Sequence, residues 1–127
     1  MLNGESVSSV EDNGYICIDR EWQVGDSIDL IFEIPIRLVL AHPNVEDCVG
    51  KVALERGPIV YAFEGVDNND TVADLVLSEH TKLIAEHRPD LLGGVTVLTN
   101  GRMTAIPYYA WENRGIHEMA VWLAYGT

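Results

Sequence analysis

Basic side chains are scarce in this sequence: eight lysines and arginines stand against twenty aspartates and glutamates in 127 residues, a formal charge of −12 at pH 7. So acidic a surface repels phosphate backbones and anionic headgroups, which removes the attraction behind most nucleic-acid and membrane-surface binding. Neither nucleic acid nor membrane is therefore expected as a partner. Cysteine is equally sparse. Cys17 and Cys48 are too few for a disulfide framework and lack the paired spacing of a zinc knuckle, so both read as reduced, small apolar residues. Long apolar runs are missing as well. The greasiest stretch, Ile28 to Leu40, is broken by Asp29, Glu33, Pro35 and Arg37, whereas a bilayer span needs roughly 18 apolar residues in succession. Met1 to Val10 has neither the basic nor the apolar segment of a secretory signal, and a cytoplasmic location is expected.

What is present suits one folded core: 47 % hydrophobic and 22 % charged residues, near the average for globular proteins. Apolar side chains recur with period two. Tyr15 to Arg20 alternates, and after the Gly25-Asp26 turn signal Ile28, Leu30, Phe32 and Ile34 recur at every second residue, so the two runs are expected to pair as a hairpin. Pro35 marks a bend or edge, beyond which Ile36, Leu38 and Leu40 keep the same parity. Lys51 to Arg56 and Ile59 to Phe63 flank Gly57-Pro58 as two further strands, and Gly65 to Asp70 reads as a loop. Between Asp74 and Arg88 a helical spacing competes with two short strands, Leu75 to Leu77 and Lys82 to His87, of which the strands are preferred. Asn100-Gly101 between Val95–Thr99 and Arg102–Pro107 is a type I′ hairpin signal, and Glu118 to Ala124 gives a last strand. The sum is an all-β chain: an antiparallel β-sandwich of eight or nine short strands with at most one short helix.

Catalytic signatures are thin. The histidines, His42, His80, His87 and His117, are widely separated and no pair has helical ligand spacing, so no sequence-local metal site is expected. Asp67, Asn68, Asn69, Asp70 and Asp74 have the composition of a calcium loop without its order, since Val72 stands where the turn glycine is required. Scattered carboxylates always supply chance pairs, so they do not by themselves mark a glycosidase. One cluster has binding character: Tyr108, Tyr109, Trp111, Asn113, Arg114 and His117, with Trp122 nearby in sequence. Aromatic faces beside amide, imidazole and guanidinium groups suit a sugar, whose C–H face stacks while its hydroxyls hydrogen-bond. The same residues also suit packing: Trp122 alternates like a core residue, and Arg114 suits stacking or pairing with a carboxylate.

Longer strings carry a resemblance. "RGPIVYAFEGVDN" (Arg56 to Asn68), "AIPYYAWENRG" (Ala105 to Gly115) and "MAVWL" (Met119 to Leu123) resemble the C-terminal region of the β-L-arabinofuranosidase-like glycoside hydrolases, family 127. "NGYICIDREWQVGDSIDL" and "IPIRLVLAHPNV" resemble the segment just before it, so the likeness runs through nearly the whole chain. It implies a parent with an α/α-barrel catalytic domain followed by β-sandwiches, a cysteine nucleophile at a zinc site and a glutamate acid/base. Those residues belong to the barrel, and Cys17 and Cys48 do not match the zinc-cysteine motif, so no catalytic residue, metal ligand or cofactor is assigned to this chain. The resemblance implies an accessory fragment: residues 1–42 as the end of a first sandwich and 43–127 as a second. Its expected partner is the absent barrel of the parent chain, with homodimerisation through the outer face as a further expectation. A carbohydrate-binding module and a subunit-contact domain are the alternatives.

Overall fold

The computed structural model describes residues 1–126. The chain forms two compact units, Met1–Glu33 and Ile34–Thr127, and the regular structure among the described residues is eleven strands and three single-turn 3₁₀ segments. The all-β class expected from the alternation holds. Among the described residues no helix is long and apolar enough to cross a membrane.

The first unit is organised by Asn-Gly turns. Strands β1 (Val10–Asp12) and β2 (Tyr15–Cys17) pair antiparallel, Asp12 opposite Tyr15. The two residues between them take positive φ, 50° at Asn13 and 82° at Gly14, which is the type I′ geometry that asparagine and glycine tolerate best. Asn3-Gly4 repeats those angles, and Leu2 and Glu5 exchange backbone hydrogen bonds of 2.8 and 3.0 Å around it. Asn3 is further fixed because its Nδ2 donates to Asp26 Oδ1 at 2.9 Å while its Oδ1 accepts from the Ser27 amide at 2.8 Å. The hairpin expected between Tyr15–Arg20 and Ile28–Ile34 is not formed: β2 closes locally on β1, and of the second run only Ile28 makes a ladder contact, a bridge to Leu2. A two-residue turn closes a much shorter loop than the alternative pairing would, and its entropic cost is lower.

The second unit is one curled nine-stranded sheet. Strand β3 (Ile36–Leu40) lies antiparallel along Val52 to Arg56 of β4 (Lys51–Arg56). The other edge of β4 is shared. Its end pairs with β5 (Ile59–Glu64) across the Gly57-Pro58 turn, while its start pairs with β11 (Leu123–Tyr125). Gly57 has φ of 55°, and a Cβ there would sit 2.7 Å from Ile34 Cγ2, which accounts for glycine at this corner. β5 continues into β10 (Met119–Ala120) on that same side and β9 (Thr104–Pro107) on the other. β9 leads to β8 (Val95–Thr99) and then β7 (Ile84–Arg88), and β6 (Val76–Leu77) joins β11 in parallel. The segment expected as one strand from Glu118 to Ala124 is thus two, bent at Val121-Trp122. The bend follows from its partners: β4 and β5 run antiparallel, and one straight strand cannot be antiparallel to both. Ala120 and Leu123 consequently face the same core.

Both faces of the central strands are covered. Leu54, Tyr61, Phe63, Leu98, Ala105 and Leu123 pack on one side, Val95, Val97, Ile106 and Ala110 on the other. Residues adjacent in sequence, such as Val97 and Leu98, therefore both disappear from solvent, as period-two geometry between two apolar layers requires. The Asn100-Gly101 hairpin forms with a different turn. Only Gly101 is left-handed, at φ 82°, while Asn100 Oδ1 accepts from the amides of Arg102 and Met103, each at 3.1 Å, within a four-residue loop.

Candidate functional site

The most elaborate polar arrangement lies where β5 ends and the chain leaves β9. Glu64, only 1 % exposed, closes a strand of otherwise apolar or aromatic side chains. A buried carboxylate is costly unless it is paired and hydrogen-bonded. Both conditions are met. Its Oε2 accepts from Arg114 Nη2 at 2.7 Å and its Oε1 from the Glu112 amide at 2.8 Å. Asp67, in the 3₁₀ turn Gly65–Asp67, grips the same guanidinium bidentately: Nη1 donates to Oδ1 at 2.7 Å and Nη2 to Oδ2 at 2.5 Å. Hydrogen bonds to Asp67 foremost, and then to Glu64, raise Arg114 further above its already high ordinary pKa, against the opposing effect of burial. The loop is wound to make this possible, with Glu112 held at φ 64° and Gly115 at 99°.

Asn68 locks the base of the cluster. Its Nδ2 donates to the carbonyls of Glu64 and Thr104, at 2.8 and 2.9 Å, and its Oδ1 accepts from the Thr104 amide at 2.9 Å, all buried. Glu118 ties the following loop: its Oε2 accepts from the Val72 amide at 3.0 Å and the Thr71 hydroxyl at 2.9 Å. Those two donors, the amide foremost, hold its carboxyl below the ordinary glutamate pKa. Because the folded value is depressed, this tie is fully present above the ordinary glutamate range and is lost as the pH falls through the lowered value. Hydrogen exchange should therefore show the Val72 amide losing protection on acidification, and Glu118→Gln should remove that pH dependence.

The residues singled out from the sequence are distributed as follows. Tyr108 and Tyr109 occupy a 3₁₀ turn and are exposed, Tyr109 to 70 %. Trp111 is half-buried against the Val97 and Ile106 side of the sheet, and its ring is 6.2 Å from that of Tyr108 with 25° between the planes. Asn113 Nδ2 donates to the carbonyls of Ala110 and Trp111, at 3.0 and 3.3 Å. Arg114 is committed to the two carboxylates, and His117 Nε2 lies 3.2 Å from the Arg114 carbonyl. Trp122 lines a separate hollow beside Lys51, Val72 and Ala120. The Tyr108 and Tyr109 side chains thus remain exposed while the Asn113 amide and the Arg114 guanidinium are turned into the loop. Asp67 and Asn68, from the calcium-like composition, serve the ion cluster and the backbone clamp instead.

Glu64 and Glu118 belong to no motif, and Asp67 and Asn68 stand out in the sequence only as part of a calcium-like composition. One signal points to the pairing: an acid ends the apolar run Ile59 to Phe63, and Arg114 is the only lysine or arginine beyond Arg102. For the zinc that the resemblance implies in the longer enzymes, the residues present do not fit. Among the described residues no three His, Cys, Asp or Glu side chains converge as a ligand set, and Cys17 is exposed in the first unit while Cys48 lies in the second.

A sheet covered by two apolar layers, with a loop pinned by an ion cluster, defines a β-sandwich module. The chain belongs to glycoside hydrolase family 127: the C-terminal domain of that family matches residues 36–124. A curated relative, the non-reducing end β-L-arabinofuranosidase of Bifidobacterium longum subsp. longum, is 29 % identical over 94 % of this chain and 23 % of its own length. The crystal structure of a family 127 β-L-arabinofuranosidase from Geobacillus stearothermophilus T6 is similar with a TM-score of 0.83 and 41 % identity, over 99 % of this chain and 24 % of that one. A family 127 β-arabinofuranosidase of known structure gives 0.83 and 36 %, over 99 % and 23 %. The chain spans about a quarter of the length of these relatives.

Proposed function

We propose that this chain is a non-catalytic accessory β-sandwich portion of a β-L-arabinofuranosidase-like glycoside hydrolase acting on arabinose-containing glycosides, and that the remainder of the longer protein, a helical barrel included, is its partner. The observation that carries the reading is in the first unit, where Ile28, Leu30, Ile31 and Phe32 are 57, 59, 72 and 71 % exposed. A run of large apolar side chains left open to this extent marks a contact surface. Similarity confined to a quarter of the relatives' length supports a cover supplied by the rest of such a protein. On this reading the first unit, Met1–Glu33, is part of a first sandwich completed by the rest of the longer protein, and Ile34–Thr127 forms a second that braces the catalytic domain; the boundary falls before β3, which pairs with β4, rather than at residue 42.

The test is direct. The purified chain, supplied with zinc and reductant, should cleave aryl β-L-arabinofuranosides no faster than buffer does, and turnover well above that background would overturn the accessory assignment.

A further inference from the structure

We propose that the hollow between the loops Ser78–Lys82 and Asn100–Met103 is an oxyanion site, suited to the carboxylate of a sugar acid or to a phosphate. In the β7–β8 ladder Ile84 stands opposite Thr99, so the residues just before β7 and just after β8 emerge at the same end of the sheet. The hollow there is lined by Ser78, His80, Thr81, Lys82, Asn100 and Arg102, with the Met103 side of the hairpin loop. Two of the chain's eight fixed cations, Lys82 and Arg102, line it, and no carboxylate does. Neither Lys82 nor Arg102 takes part in an ion pair among the described residues.

The loops are set in place by their own hydrogen bonds, and those bonds leave donors over. Ser78 and Thr81 hydroxyls lie 3.2 Å apart, Thr81 Oγ1 accepts from the Ser78 amide at 2.9 Å and Ser78 Oγ from the His80 amide at 3.2 Å. The hydroxyl pair shares one of its two protons, so the other is free to point outward. Asn100 spends its Oδ1 on the Arg102 and Met103 amides, which leaves its Nδ2 as a donor. Thr99 Oγ1 stiffens the same turn, donating to the Met103 carbonyl at 2.8 Å and accepting from the Gly101 amide at 3.2 Å.

The lining therefore presents an ammonium, a guanidinium, a hydroxyl, an amide and an imidazole, which is a surplus of donors complementary to an anion with several oxygens. The net charge of −12 does not forbid this. Charges beyond a Debye length of roughly 8 to 10 Å are screened at physiological salt, whereas groups touching the ligand are not. Glu79, the adjacent acid in sequence, accepts from the Tyr125 hydroxyl at 3.1 Å and lines a neighbouring hollow.

Amide chemical shifts of the full chain, followed during separate titrations with inorganic phosphate, D-galacturonate and neutral D-galactose, test the proposal. Saturable shifts in Ser78–Lys82 and Asn100–Met103 are expected with one or both anions, weakening as salt is added, and the tighter anion names the source. The exposed-residue double variant Lys82→Gln/Arg102→Gln should weaken binding about tenfold or more with an unchanged melting curve. Absence of saturation with either anion, an equal response to galactose, or unaltered affinity in the double variant would each overturn it.

Discussion

Replacing Arg114 with methionine is expected to lower the unfolding free energy by about 3 to 5 kcal/mol, the usual cost of removing one partner from a buried ion pair. The loss arises mainly from what stays behind. Glu64 remains 1 % exposed with one hydrogen bond, from the Glu112 amide, and a desolvated carboxylate with no cation. Asp67 loses its bidentate partner as well. A double-mutant cycle separates this from simple loss of packing: Glu64→Gln added to Arg114→Met should recover part of the deficit, with a coupling energy of roughly 1 kcal/mol or more. Strict additivity of the two changes in urea unfolding would show that the cluster does not act as a unit. Because Glu112, at φ 64°, is held in place through its bond to Glu64, the variant should also loosen the turn that presents Tyr108 and Trp111, visible as a changed near-ultraviolet aromatic signal.

The class of fold was legible from residue type and turn signals: Val52 and Leu54 alternate in Lys51–Arg56, Ile59–Glu64 is rich in β-branched and aromatic residues, and Asn100-Gly101 separates Val95–Thr99 from Thr104–Pro107. The preference for two short strands over a helix between Asp74 and Arg88 also agrees with β6 and β7. Pairing was harder to read. The alternation of Ile28 to Ile34 says that a strand wants a partner without saying that the partner is in this chain, while the Asn13-Gly14 turn closes β1 on β2 locally. The split of β10 from β11 depends on two partner strands that diverge, a property of the whole sheet. In the candidate site the grouping of Tyr108, Trp111, Asn113 and Arg114 on one turn was visible as sequence proximity. The direction of their polar groups was not, because it depends on Glu64 and Asp67, which lie about fifty residues earlier and are brought beside the loop by the β5–β9 and β5–β10 ladders.

In solution the chain is expected to self-associate through the first unit, and the triple substitution Ile28→Thr/Leu30→Thr/Phe32→Thr is expected to return it to a 14.1 kDa monomer. Leu2 is the only buried hydrophobic residue of that unit, so its apolar side chains gain little from folding alone. Covering three large ones contributes about 1.5 to 3 kcal/mol each, so their loss should weaken association at least a hundredfold. Threonine keeps the β-branched shape that strands favour while adding a hydroxyl, so the change tests apolar burial rather than the capacity to extend. The sites lie outside Ile34–Thr127, whose core and ion cluster are untouched, and its unfolding transition should stay where it was. Sedimentation equilibrium distinguishes the outcomes: a parent chain that is monomeric at high concentration, or a triple variant that associates as strongly as its parent, would show that this run of side chains is not a contact surface. A concentration-dependent parent mass that collapses in the variant would mean that two copies cover for each other what the rest of a longer hydrolase covers in the accessory role proposed for this chain.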